Sequence, residues 1–193
     1  MRQPWLQLLL VTPLMIHLFG MDEALSFQRY LITQGQVWRL LTCHLTHINT
    51  THLLENLAGL FLVGVVFGKQ YSSRTWLGIT LFCTVTIGGA LYLINTSLEW
   101  YFGLSGLLHG LLVAGAVMQI DRKESQGIAW FMLLAIGLKV IYEQWSGPLP
   151  GSELVMGGTV IVDSHLYGAI AGLVSAMSII RIGRIGSNSG STL

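Results

Sequence analysis

The chain has 193 residues, of which 52% are hydrophobic, only 10% are charged and 23 are glycine. Soluble domains carry about 25% charged residues, so this deficit excludes a water-soluble globule and implies a chain that lives in a membrane. Ten Lys and Arg against nine Asp and Glu give a formal net charge of +1, which leaves no basic patch for nucleic acid.

Apolar runs at 5–20, 52–68, 75–95, 105–120, 128–145 and 164–180 predict six membrane-spanning helices, because about 20 apolar residues cross a hydrocarbon core. The fold class expected is therefore all-α. Several runs fall short of that length, so some helices should begin or end below the membrane surface. Arg2, the first apolar run and "ALS" at 24–26 also mimic a signal peptide with its cleavage site. The run is long for that role and Pro13 interrupts it, so a first span is preferred.

Basic residues orient the spans, since cytoplasmic ends collect Lys and Arg. Arg2, Lys69, Arg74, Arg122, Lys123, Arg181 and Arg184 fall at one set of alternate ends, whereas the opposite set holds Arg29 and Arg39. Both termini are then cytoplasmic, and loops 21–51 and 146–163 lie outside. Residues 1–185 are read as one membrane domain, and 186–193 ("GSNSGSTL") as a polar, disordered tail. Cys43 and Cys83 sit in unlike contexts and predict neither a disulfide nor a metal site.

Two polar side chains stand out within these apolar runs. Ser105, in "GLSGLLHG" at 103–110, begins the fourth span, and His165 lies near the start of the sixth. The topology puts both at the same outer end. Gly103, Gly106 and Gly110 beside the serine and Gly168 and Gly172 beyond the histidine are the expected helix-packing residues. The last four form two small-xxx-small pairs, which let helix backbones approach closely in lipid. That approach is what a Ser–His hydrogen bond between two helices requires. A serine hydroxyl is a poor nucleophile without a base. His109, four residues further along the same helix, is a turn away, so His165 is preferred as base with His109 as its support. The plainer alternative makes Ser105 a helix N-cap and His165 an interfacial residue.

The first outer loop adds "HLTHINTTHLLEN" at 44–56. His52 and Asn56 share a helix face at the outer end of the second span. They can donate to a developing oxyanion beside the Ser105 N–H, one such donor contributing about 3–4 kcal/mol. His44 and His47 are read as packing or capping residues. A metal site built on His44, His47 and His52 lacks both an "HExxH" motif and acidic partners, so no metal and no cofactor is expected.

Taken together, Gly103-Leu104-Ser105-Gly106, His52 to Asn56, and His165 with Gly168 and Gly172 resemble the motifs of the rhomboid intramembrane serine proteases. Trp38-Arg39 is similar to a structural element of that family's first external loop, and the likeness covers about residues 36–175. The resemblance implies a six-helix bundle with a water-filled cavity opening outward. It implies a Ser105–His165 dyad without a third acid, and an oxyanion site of His52, Asn56 and the Ser105 amide. Two positions depart from the family pattern: His109 stands where many members have tyrosine, and Ser164 where alanine is common. With "GLSGLLHG" and the short chain, the sequence looks like the rhombosortase branch. That branch implies single-span, membrane-anchored substrates of a bacterial inner membrane, each carrying a C-terminal Gly-Gly motif, a span and a basic tail, cut on the periplasmic side. A non-catalytic client-binding relative is the competing reading, although both nucleophile and base are present.

Among the remaining polar residues, Lys139 and Glu143 lie i,i+4 on the fifth span. An intramembrane charge hints at function, but a paired lysine reaching toward the interface is the simpler account. Asp163, two residues before His165, could orient the imidazole, but adjacent positions at a helix start often point elsewhere, so it is left out of the catalytic set. The Gly/Pro-rich loop 146–158 is either a cap over the cavity or a connector.

Overall fold

The computed structural model describes residues 3–123 and 126–189; Arg2 and the last part of the expected tail, 190–193, lie outside the described residues. Six long helices follow the predicted order: α1 (Pro4–Leu18), α2 (Thr50–Phe67), α3 (Ser73–Leu93), α4 (Ser105–Asp121), α5 (Gln126–Ser146) and α6 (Val162–Ser189). Four of them, α2, α3, α5 and α6, are long and apolar enough to cross a membrane, whereas α1 and α4 are shorter apolar helices. α6 runs to Ser189, past residue 185, where the polar composition places the end of the bundle.

Local chemistry sets the helix starts. Pro4 opens α1, where its missing N–H costs nothing. The Asn49 side chain accepts from His52 N–H and caps α2, and Ser72 caps α3 through Thr75 N–H. α1 is tied into the bundle by Trp5, buried and stacked on Trp76 of α3 with ring centroids 4.9 Å apart.

α4 is the centre of the bundle. It is buried on every side, with Leu107, Leu111, Ala114 and Met118 fully enclosed, and it packs on α2, α3, α5 and most closely on α6. At 17 residues it is about 25 Å long, less than the roughly 30 Å of a hydrocarbon core. Ser105 is its first residue. α5 is the opposite case. Ala129, Val140 and Glu143 are its buried residues, while Phe131, Leu134, Leu138 and Ile141 face outward. Such an apolar exterior fits lipid and not water.

The segment between α1 and α2 is built of short turns held by two arginines, Arg39 buried and Arg29 half-buried. Arg39 donates to the Ser26 and Glu23 carbonyls and to the Gln36 side chain; its neighbour Trp38 is half exposed. Arg29 donates to the carbonyls of Leu91, Tyr92, Asn95 and Leu98, where α3 ends. Both cations are thus spent mainly on backbone carbonyls. A strand pair too short to read from sequence, β1 (Phe27–Gln28) and β2 (Trp100–Tyr101), runs antiparallel with Phe27 opposite Tyr101. At the other end of the bundle Arg122 donates to the Gln70 carbonyl and Arg184 pairs with Asp121.

Candidate active site

Ser105 is the first residue of α4, and the preceding Leu104 is the N-cap position. No side chain caps this helix, so the serine hydroxyl is not consumed there. The entry is shaped by Gly103, whose φ is +123°. Its N–H donates to the Cys43 carbonyl (3.1 Å) and its carbonyl accepts from the Tyr101 hydroxyl (2.8 Å). A Cβ at 103 would stand 2.8 Å from His52 Cε1. Gly103 therefore does not pack one helix on another, as its place beside Ser105 suggested; it is a turn glycine that leaves space for an imidazole.

The other glycines do bring helices together. A Cβ on Gly168 would run into the Gly106 carbonyl, and one on Gly172 into that of Gly110. Gly106 faces Ser164 in turn, and Gly110 faces the Gly168 carbonyl, each 2.8–2.9 Å from where a Cβ would stand. α4 and α6 thus touch backbone to backbone, as small residues permit in lipid. The contact carries the Ser105 hydroxyl to 2.8 Å from His165 Nε2.

Three further groups fix the imidazole of His165. The His109 ring lies against it, centroids 4.2 Å apart and planes inclined by 17°, while His109 Nδ1 is 2.7 Å from the Ser105 carbonyl. On the far edge, His165 Nδ1 is 2.7 Å from Glu143 Oε2. Glu143 Oε1 accepts from Lys139 Nζ at 2.7 Å, and that ammonium is 3.2 Å from His165 Nδ1. The i,i+4 pair read from sequence is therefore formed, but it does not simply reach toward the interface: its carboxylate is buried against the imidazole. This corrects the expectation of a dyad with no acid beside it. The available sequence signal was the carboxylate itself, placed with Lys139 on a largely apolar helix. Asp163 faces elsewhere, accepting from Asn95.

His52 and Asn56 project from α2 into the same space, a cleft of about 220 Å³ that Ser105, His165, Lys139 and Glu143 also line. Asn56 Nδ2 is buried and has no partner among the described residues, so an unsatisfied donor stands on a residue that lines the cleft. Leu149, Ser152, Met156 and Val160 form another wall. Its first three residues belong to the loop 146–158, where a short helix, Ser152–Met156, stands between Gly151 and Gly157, both at positive φ. Asn49 Nδ2 ties it down through the Met156 carbonyl at 2.7 Å.

The loop histidines His44 and His47 turn to different neighbours. His44 Nε2 contacts the Thr84 carbonyl at 3.1 Å, and His47 meets His52 edge to face with centroids 5.0 Å apart. Burial holds the His44 imidazole down to about 4, and burial with the neighbouring His52 and His17 holds His47 down to about 3, so both are neutral. Among the described residues, His109, Glu143 and His165 have donor atoms within 4.8 Å of one another. Those of Glu143 and His165 are engaged in the bonds above, and the Lys139 ammonium already supplies a positive charge there.

The arrangement can move a proton from a hydroxyl to an imidazole beside a free donor, within a cleft at one end of a lipid-facing bundle. Two comparisons bear on it. The family model described as "Rhomboid domain" matches residues 34–182. Over 157 residues the chain is 27% identical to "Rhomboid protease GlpG" of Haemophilus influenzae, covering 78% of this chain and 73% of that protein.

Proposed function

Because the chain belongs to the rhomboid family and is an intramembrane serine protease, we propose that Ser105 is its nucleophile and His165 its base. The observation that carries this reading is the 2.8 Å contact between Ser105 Oγ and His165 Nε2 at the cleft wall. Nε2 takes the hydroxyl proton as Oγ attacks a substrate carbonyl carbon. The oxyanion is met by the Ser105 N–H, free as the first donor of a helix, and by His52 and Asn56. Collapse expels the amine, which leaves with the proton from His165. Water then enters and gives a proton to the same nitrogen as its oxygen attacks the acyl carbon; collapse frees the acid, and His165 returns that proton to Ser105 Oγ.

The substrates proposed are single-span membrane proteins with a Gly-Gly segment, a span and a basic tail. Glycine suits a scissile segment because unwinding it from a helix costs about 1 kcal/mol per residue less than for alanine. The end of the bundle with Lys69, Arg74, Arg122, Lys123, Arg181 and Arg184 is the cytoplasmic one under the positive-inside rule. Ser105 then faces the periplasm from a bacterial inner membrane, where a substrate with a cytoplasmic basic tail presents its Gly-Gly segment.

Intact-mass analysis of a co-expressed single-span substrate tests the reading. A single cut beside Gly-Gly is expected with the wild type and none with Ser105→Ala. Cleavage by Ser105→Ala at the wild-type rate would remove the nucleophile. Equal cleavage when Gly-Gly is replaced by Leu-Leu would leave a rhomboid protease of other single-span substrates.

A further inference from the structure

Glu143 is buried, with 3% of its side chain exposed, against an imidazole that is itself 6% exposed. A carboxylate in such a place is costly unless its acceptors are filled, and both are: one oxygen by His165, the other by Lys139. We propose that Glu143 is a positioning residue that selects the reactive tautomer of His165, and that Lys139 decides which atom of residue 143 meets the ring. The proposal rests on reading Ser105 and His165 as nucleophile and base.

The tautomer follows from the acceptor count. An ionised carboxylate only accepts hydrogen bonds, so the 2.7 Å contact of Glu143 Oε2 with Nδ1 places the ring proton on Nδ1. Nε2 is then left with a lone pair directed at the Ser105 hydroxyl 2.8 Å away. Lys139 Nζ is 3.2 Å from Nδ1 but cannot donate to a nitrogen that already carries a proton; it donates to Oε1 instead. Without the carboxylate the ammonium would donate to Nδ1 and drive the proton to Nε2, which disables the base. Glu143 also balances charge. When His165 takes the serine proton, an imidazolium forms beside an ammonium, and the carboxylate between them offsets that repulsion. The ring is thus held by its face on His109 and by its edge on Glu143.

An isosteric substitution gives a sharp test. In Glu143→Gln the lysine, which can only donate, claims the amide oxygen and turns the NH2 toward Nδ1. Nδ1 must then accept, and the ring proton moves to the Ser105 side. A fall in kcat of about 10²–10⁴-fold with KM little changed is expected, with a parallel fall in the rate at which a fluorophosphonate labels Ser105. Adding Lys139→Met frees the amide to rotate and offer its oxygen to Nδ1–H, so the double variant should recover about tenfold or more over Glu143→Gln. A merely structural glutamate predicts the reverse, a double variant no better than the single one. Should Glu143→Gln come out unfolded, Glu143→Ala with added acetate takes its place. Acetate is expected to raise the labelling rate of that variant and not of the wild type, and no increase would count against the proposal. Ser105→Ala separates the two readings. If it is inactive while Glu143→Gln cleaves within about threefold of wild type, well short of the loss expected for a wrong tautomer, the role of Glu143 is lost and the nucleophile stands. If Ser105→Ala cleaves normally, the nucleophile itself is lost.

Discussion

The rings of His109 and His165 lie nearly parallel with centroids 4.2 Å apart, one from α4 and one from α6. Each helix thus contributes one layer of the same stack. Because His109 Nδ1 is also bonded to the Ser105 carbonyl, the lower ring cannot slide away from the upper one. A flat aromatic surface is what the stack needs, and the family's usual tyrosine at this position would supply one too.

His109→Phe is therefore expected to keep cleavage within about threefold of wild type, since the stacking surface survives and the Ser105 carbonyl keeps its helical partner. His109→Ala removes that surface and should cost up to about tenfold, the size of an aromatic pair contribution. Initial rates on one single-span substrate, taken at matched folded fraction, decide the matter. Equal rates for the two variants would show that the stack has no part in holding His165.

The backbone contact between α4 and α6 makes a second prediction. A methyl at 168 has nowhere to go, because the Gly106 carbonyl occupies its place. Gly168→Ala should separate the helices, break the Ser105–His165 bond and destabilise the protein by about 1–3 kcal/mol. On the outward-facing α5, a Cβ at Gly137 would meet nothing within 4 Å, so Gly137→Ala should match the wild type. Thermal midpoints in micelles and cleavage rates together check the pair, and an active Gly168→Ala protein would contradict the packing argument.

This contact was legible in the sequence because its cause is local: two glycines four residues apart on each helix. The six helices were legible for the same kind of reason, from length and composition alone. Glu143 was not. Lys139 lies one turn away on the same helix and satisfies one of its oxygens, so the sequence contains a complete explanation of the pair. Nothing in the spacing tells which way the second oxygen turns, toward a histidine 22 positions later. Gly103 shows the same limit. Its neighbours suggest helix packing, but its positive φ answers to an imidazole on α2, a partner that only the closed bundle reveals. Asp163 sits two residues from His165 in sequence and turns instead to Asn95.

Asn56 permits function to be separated from stability. Its Nδ2 is buried without a partner among the described residues, so deleting the amide group removes no hydrogen bond of that nitrogen from the folded state. Asn56→Ala should lower kcat by about 10²–10³-fold if the donor meets an oxyanion, with little change in KM and a thermal midpoint close to wild type. Steady-state kinetics with a calorimetric scan would check both halves. An unchanged kcat would place the oxyanion elsewhere.

The buried imidazoles of the first loop predict acid lability. His44 is held down to about 4 from an ordinary 6.5, mainly by burial, so the unfolded chain binds a proton at about pH 5 that the folded chain does not. Stability must then fall as pH drops from about 6.5 toward 4, and it is fully present above about 6.5. A depression of this size corresponds to roughly 3 kcal/mol for His44 alone, and His47, held down to about 3, acts in the same direction. Thermal midpoints are expected to decline steeply between about pH 6.5 and 4.5 in the wild type. His44→Gln, which keeps a donor for the Thr84 carbonyl but does not titrate, should flatten that decline. If the two pH profiles run parallel, protonation of His44 is not what unfolds the loop, and the acid sensitivity belongs to another group.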